Sequence, residues 1–223
     1  MRYLTFNKDV PVNKTTLIKE NPFYAGFDSI IKIFLDYTFA VFGIFILLLF
    51  FPILALLIKI DSRGPIFYRQ KRCGLKGKEF KMYKFRSMIS NAHDLQKVLK
   101  NESEGPVFKI RNDPRITRIG RLLRRTSLDE IPQLINVLKG EMSLVGPRPL
   151  ALEEMSGNKE WREIRLKVKP GITGLWQIKG RGIRCFDHWI HYDKEYVLNR
   201  TLLLDMKILF LTIGTVIKGK GAC

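Results

Sequence analysis

The sequence predicts an α/β protein, mostly helical with a small strand element, attached to a membrane through an N-terminal helix. Three observations carry this. Tyr37 to Ile58 contains no charged residue, and a run of roughly twenty apolar residues matches the thickness of a bilayer core. Ile116, Ile119, Leu122 and Leu123 recur at helical spacing within an arginine-rich segment. Phe80, Met82 and Tyr83 mark a short strand or hairpin between glycine turns.

With 223 residues the chain is long enough for one domain with a real core, or for a small domain plus a membrane element, and one domain is expected. Its formal charge of +18 calls for an anionic partner: nucleic acid, an anionic lipid surface or a phosphorylated substrate. Cys73, Cys185 and Cys223 are odd in number, widely spaced and without a CxxC, which indicates neither a disulfide framework nor a zinc site. A reducing compartment fits that usage. No Gly-rich phosphate loop, serine nucleophile elbow or internal repeat is present.

Residues 1–28 are polar and aromatic, interrupted by Pro11 and Pro22, and read as an arm too polar for a signal-peptide core. Residues 29–60 form the membrane helix. Pro52 falls inside its apolar run and is expected to break or kink it. About fifteen apolar residues precede the proline, or roughly 22 Å at 1.5 Å per residue, short of the roughly 30 Å core. Basic residues flank the run on both sides, with Lys14, Lys19 and Lys32 before it and Lys59, Arg63, Arg69, Lys71 and Arg72 after it. Positive flanks favour the cytosol, which a re-entrant helix satisfies and a straight span does not, although a span stays open. Lys32 and Asp36, four apart, read as an interfacial ion pair.

After Asp61, basic and aromatic residues interleave through the hairpin, where Lys84 and Arg86 are candidates for phosphate contact. Such interleaving also suits nucleic-acid stacking. Residues 88–104 look like an amphipathic helix ending in a polar loop, with His93 at the surface. The segment RNDPRITRIGRLLRR carries six arginines, on a helix that brings Arg124 and Arg125 to an acidic pair.

That pair lies in RRTSLDEIPQLINVLKGEMSLVGPRP, residues 124–149, which joins Asp129 and Glu130 to an arginine pair and to a proline-flanked Arg148. Guanidinium groups around adjacent carboxylates suggest phosphate chemistry, with one carboxylate attacking or holding a metal. Ser127-x-x-Glu130 is also a capping box, which by itself requires no function. Pro132 places the start of a helix carrying Ile131, Leu134, Ile135 and Leu138 within about one turn, and Gly140 ends it.

Downstream, residues 151–169 read as a polar helix with Leu152, Met155 and Trp161 on its apolar face. KPGITGLWQIKGRG reads as a loop or tight turn with Trp176 exposed or half-buried, where it could hold a nucleotide base beside the phosphate site, or else packed in the core. His188-x-x-His191 beside Asp187 and Asp193 suggests metal ligands only superficially, since no third ligand of characteristic spacing follows. The C-terminal apolar segment is interrupted by Asp205 and Lys207, as in an interfacial helix.

The ordered set GPIFYRQKRCG, YKFRSM, DPRITRIGRLLRRTSLDEIPQLINVLKGEMSLVGPRPL, KPGITGLWQIKGRG and YDKEYVLNRTLLLDMKIL resembles the bacterial sugar transferase family, the monotopic phosphoglycosyl transferases. The similarity runs from about residue 28 to the end. It implies a catalytic domain over 61–223 with interfacial helices, and an enzyme on the cytoplasmic face of the bacterial inner membrane. The activity implied is transfer of a sugar 1-phosphate from a UDP-sugar to polyprenyl (undecaprenyl) phosphate with release of UMP, the first membrane step of a capsule, exopolysaccharide or lipopolysaccharide glycan. On the family's pattern Asp129 is the nucleophile that forms a covalent sugar-phosphoryl aspartate, and Glu130 holds Mg²⁺. Lys84, Arg124 and Arg148, with Pro147 and Pro149 beside the last, bind the substrate phosphates. The family's re-entrant helix breaks at a proline that many relatives precede with Ser; here the residue is Phe51. The resemblance implies the minimal catalytic form of the family, without the extra membrane helices and domain that larger relatives carry ahead of this core. A homodimer is compatible with a surface-seated enzyme, with no residue assigned to the contact, and no nucleic-acid partner is expected. The rival readings are a membrane-tethered nucleic-acid-binding module, in which Asp129 and Glu130 would only cap a helix, and a non-catalytic scaffold for glycan assembly.

Overall fold

A computed structural model of the chain describes residues 27–102, 108, 110–155, 157–180 and 185–218. The N-terminal arm with Lys14 and Lys19, the glycine-rich end of the 170–182 segment, residues 103 and 104 and Cys223 lie outside the described residues.

Helix α1, Phe27–Asp61, is one continuous 35-residue helix with Pro52 inside it. It is long and apolar enough to cross a membrane. Pro52 withholds one N–H from the helix without ending it, so of the expected break or kink the break does not occur. Ala40, Leu47 and Ile58 face inward and are buried, while Phe34, Phe42, Phe45, Leu49 and Ile53 are exposed. Phe51 stacks on Phe67 and Phe85 at centroid distances of 5.7 and 6.3 Å. The expected Lys32–Asp36 ion pair forms, with both side chains largely enclosed. Lys32 Nζ lies 2.7 Å from Asp205 and 3.7 Å from Asp36, and Asp36 accepts a hydrogen bond from the Leu144 N–H.

The expected hairpin is present. Strands β1, Phe67–Cys73, and β2, Glu79–Phe85, pair antiparallel with Tyr68 opposite Lys84. Arg86 follows β2 but makes no phosphate site. Its guanidinium donates to Ser62 Oγ and to the carbonyls of Ile58, Ser62 and Pro65, closing the C-terminal end of α1, where carbonyls otherwise lack partners.

The helix expected over 88–104 shrinks to α2, Ala92–Gln96. Val98 is 79% exposed, so the segment lacks the buried face that stabilises a short helix. Helix α3, Arg118–Arg125, is capped by Thr117, whose side chain accepts from the Gly120 N–H. A Cβ at Gly120 would stand 2.1 Å from the Ser87 carbonyl oxygen, so only glycine lets α3 rest on the chain leaving β2. Leu123 is buried in one apolar cluster with Leu47, Ile58 and Phe85, whereas Leu122 faces outward.

A 3-10 turn over Leu128–Gln133 leads into α4, Leu134–Leu138, and Gly140 stops it at φ +71°. Strand β3, Ser143–Val145, pairs in parallel with β4, Gly171–Thr173. The helix expected over 151–169 is divided into a 3-10 turn, Glu153–Met155, and α5, Lys159–Arg165. Asn158 separates them because its side chain accepts from the Trp161 N–H and starts a new helix. The segment read as a loop around Trp176 supplies β4 and α6, Leu175–Lys179. Trp176 is buried and stacks on Trp189, ring centroids 4.1 Å apart.

Helices α7, Phe186–Asn199, and α8, Leu202–Lys218, complete the described fold. Asp193 of α7 points inward and accepts from Trp161 Nε1 at 3.0 Å. Among the described residues no group of three His, Cys, Asp or Glu could hold a metal. In α8, Asp205 and Ile208 are buried while Leu203, Phe210, Ile213 and Ile217 are exposed, giving the helix one apolar outer face. The architecture is thus mostly helical with two small sheets among the described residues.

Candidate active site

Asp129 and Glu130 sit in the first turn of the 3-10 segment Leu128–Gln133. The chain enters it through Ser127 in the left-handed region at φ 58°, a conformation that costs a non-glycine residue about 1 kcal/mol or more. The capping box does not form. Ser127 makes no side-chain cap bond, and the Glu130 carboxylate turns instead to two cations. Lys84 Nζ lies 2.7 Å and Arg148 Nη2 3.0 Å from the same Glu130 oxygen. Asp129 is buried beside them, and Arg124 stands near it with Nε donating to Ser87 Oγ at 2.9 Å. Of the charged residues expected at the site, Lys84, Arg124, Asp129, Glu130 and Arg148 therefore converge, whereas Arg86 is held at the end of α1 and Arg125 is exposed and takes no part.

The two adjacent carboxyls are tuned in opposite directions. Burial raises the Asp129 pKa, Lys84 lowers it, Glu130 raises it again, and the net result lies above the ordinary carboxylate value. Burial also pushes Glu130 up, but Arg148 and Lys84 outweigh it and hold that carboxyl below the usual range. Burial lowers the pKa of Lys84 against the pull of Glu130, and attraction to Glu130 raises that of Arg148. Glu130 is thus a fixed anion within a cationic frame, and Asp129 is an anion stabilised less well than one in water.

Each cation is held by a different part of the fold. Lys84 comes from β2, Arg124 from the last turn of α3 and Arg148 from the turn after β3. That turn is secured on several sides. The Gly146 N–H donates to Thr173 O, the Gly171 N–H to Pro147 O and the Cys73 N–H to Leu150 O, each at 2.9 Å, while Arg165 donates to the Arg148 carbonyl. A Cβ at Gly171 would stand 2.0 Å from the Gly146 nitrogen, so the two backbones meet directly. Pro147 and Pro149 are buried on either side of Arg148, restricting the backbone that carries the guanidinium.

Three supports escaped the sequence reading. Asn136, fully buried in α4, accepts from the Tyr83 N–H at 3.1 Å and donates to Lys81 O at 2.8 Å and Glu141 at 2.6 Å. It fastens the acidic turn to the strand that carries Lys84. Arg165 lies over the Trp161 ring at 4.6 Å and 3.6 Å from Asp193, and Arg72 is ion-paired with Glu154. A polar side chain inside LINVL was a usable signal for Asn136, since a buried amide must find partners. The partners of Arg72 and Arg165 lie too far along the chain for a local signature.

Two carboxylates facing three cations suit an anionic, phosphorylated ligand. The donor set also fits Mg²⁺, which takes one or two carboxylates and completes its octahedron with phosphate oxygens and water.

A model of the family described as bacterial sugar transferase matches residues 27–219. The chain is 43% identical over 203 residues to the galactosyl transferase CpsE of Streptococcus agalactiae, covering 90% of this chain and 45% of that one. It is 47% identical over 165 residues to the undecaprenyl-phosphate galactose phosphotransferase of Salmonella typhimurium, covering 71% and 35%. With the UDP-glucose:undecaprenyl-phosphate glucose-1-phosphate transferase of Escherichia coli the identity is 44% over 182 residues, covering 75% and 37%. The chain spans less than half the length of these relatives. On the extent of these matches, this chain belongs to the bacterial sugar transferase family.

Proposed function

We propose that the chain transfers a sugar 1-phosphate from a UDP-sugar to a polyprenyl phosphate, releasing UMP, through a covalent intermediate on Asp129. One observation carries the reading: a buried carboxylate, Asp129, stands among Lys84, Arg124 and Arg148 in a chain of this family. The relatives from Salmonella and E. coli bear names that include undecaprenyl phosphate, which supports a lipid phosphate acceptor, and the latter name supports a UDP-sugar donor.

In the first step an Asp129 carboxylate oxygen attacks the phosphorus that bears the sugar. The bond from that phosphorus to the oxygen bridging the two phosphates breaks, and UMP leaves with the electron pair. In the second step a phosphate oxygen of the lipid attacks the same phosphorus and returns Asp129 to its carboxylate form. Both steps bring like charges together, so the fixed cations stabilise charge developing on phosphoryl oxygens. Arg148, held by its pinned turn, and Lys84 serve the sugar-bearing phosphate, and Arg124 serves the flank of Asp129. Because the Asp129 anion is poorly stabilised by its surroundings, its attack loses little favourable interaction. Glu130 and donor phosphate oxygens would hold Mg²⁺, which when bound supplies further neutralisation of the diphosphate.

The same reading seats the chain on the cytoplasmic face of a bacterial inner membrane, with α1 entering and leaving one leaflet and the exposed face of α8 at the interface. Contacts at both ends of α1 support the re-entrant course. Asp36 bonds to β3 before Pro52, and after it Asp61 accepts from the Ile119 N–H of α3 at 2.8 Å.

The reading is tested by UMP release from a panel of UDP-sugars with undecaprenyl phosphate and Mg²⁺. Release with at least one donor, abolished by Asp129→Asn, is expected. Absence of release across the panel from folded protein would overturn it.

A further inference from the structure

The hairpin that brings Lys84 to Glu130 also carries an aromatic side chain to the edge of the site. Tyr68 is the cross-strand partner of Lys84. Directly opposed residues of antiparallel strands share a face, with Cβ atoms about 4.5–5.5 Å apart. The Lys84 side chain is only 15% exposed at its contact with Glu130, whereas Tyr68 is 48% exposed. One member of the pair therefore lies inside the charged cluster and the other at its mouth. The neighbouring aromatic of β1, Phe67, is on the opposite face and packs on Phe85 at a centroid distance of 5.4 Å. Core packing thus accounts for Phe67 and leaves the Tyr68 ring available.

Gln70 follows on the same face, two residues along β1 and opposite Met82. Its Oε1 accepts from Arg72 Nη2 at 2.8 Å, and Arg72 is itself ion-paired with Glu154. The amide is oriented by a guanidinium that is already fixed, which leaves its N–H donor on the face of the hairpin that carries Tyr68. An aromatic face flanked by an amide donor is suited to a planar ring with carbonyl acceptors. An aliphatic chain would have no use for the donor.

We propose that Tyr68 and Gln70 form the subsite for the nucleobase of the donor, with the base stacked on Tyr68 and a ring carbonyl bonded to Gln70. The proposal rests on the reading above, in which the donor is a nucleoside diphosphate sugar whose diphosphate lies at Lys84 and Arg148. The base is then one ribose away from the leaving phosphate, on the strand next to Lys84. Tyr68 contributes binding to donor and to leaving nucleotide alike, and takes no part in the bond changes.

The test uses the full chain in lipid nanodiscs, with donor and acceptor KM from steady-state UMP release and UMP affinity by equilibrium dialysis. Alanine replacement of a base-stacking aromatic costs about 1–3 kcal/mol. Tyr68→Ala should therefore raise donor KM and weaken UMP binding by roughly 5- to 150-fold, with acceptor KM unchanged. Tyr68→Phe should stay within about twofold of the parent, because the stacking face survives. Tyr68→Leu keeps apolar bulk without that face and carries the test if the alanine variant fails to fold. Unchanged donor KM and UMP affinity in both would overturn the subsite, as would a rise confined to acceptor KM, which would assign the ring to the lipid. Dialysis needs no turnover. A parent chain that binds UMP equally well with and without the Tyr68 ring refutes this inference alone, whereas a parent that releases no UMP from any donor refutes the transferase reading.

Discussion

Replacing Asn136 by alanine tests whether the acidic turn is held in register with the Lys84 strand by one buried amide. Asn136 is fully buried and occupies the outer edge of β2, where it pairs with the Tyr83 N–H and the Lys81 carbonyl that β1 does not use. Truncation leaves both backbone groups without a partner, while Glu141, its third partner, is half-buried and can turn to water. An orphaned buried group costs about 1–3 kcal/mol. Both hydrogen bonds are only partly enclosed, so the lower end applies and the total is about 2 kcal/mol. For a chain of this size that corresponds to a Tm lowered by roughly 4–8 °C. The control is Lys139→Ala. Lys139 joins the same two parts of the fold by donating to the Tyr83 hydroxyl at 2.9 Å, but at the exposed surface, and its removal should leave Tm unchanged. The assay is thermal unfolding in nanodiscs, followed by near-ultraviolet circular dichroism, with UMP release measured on the same samples. Asn136→Ala should also lower kcat, because Lys84 follows Tyr83 directly. A Tm within about 2 °C of the parent would refute the reasoning.

Arg148→Lys keeps a positive charge but loses the planar fork that reaches Glu130 and a phosphate together. Donor kcat/KM should fall about 10- to 100-fold, and a change below twofold would remove Arg148 from the site. The acid limb of the pH–rate profile should lie above the ordinary carboxylate range, since burial chiefly raises Asp129 and only its anion attacks. Activity should fall as pH drops through that raised value, and a limb at or below the ordinary aspartate pKa would contradict this. The linked stability has opposite signs for the two carboxyls. Asp129 favours the fold at low pH and loses that contribution as pH rises through its folded value, whereas Glu130 contributes above its ordinary value and loses that contribution as pH falls through its depressed one. For the membrane course, a cysteine placed at Lys19 should resist a membrane-impermeant maleimide added from the periplasmic side until the inner membrane is opened. Labelling in intact cells would make α1 a span.

The charged set of the site was legible in the sequence because its members lie in compact motifs. Asp129 and Glu130 stand together behind Arg124, and the prolines mark Arg148. The hairpin was legible from its period and its glycine turns. The reading failed where distant parts of the chain override a local rule. Glu130 leaves the capping box because Lys84 and Arg148 bind it more strongly than a backbone N–H could. Arg86 caps α1 because that helix ends beside it. Trp176 finds Trp189 across the fold and becomes core. Periodicity alone ran the 88–104 and 151–169 segments too long, since it registers neither a missing burial partner nor a new N-cap at Asn158.

The measurement closest to the central claim is intact-protein mass after rapid mixing of the chain with its UDP-sugar and Mg²⁺ in the absence of lipid acceptor. The account predicts one sugar-phosphate adduct per chain, mapped to Asp129, formed together with one UMP and discharged when polyprenyl phosphate is added. An Asp129→Asn chain that still turns over, or turnover by the parent without any adduct or burst of UMP, would contradict it.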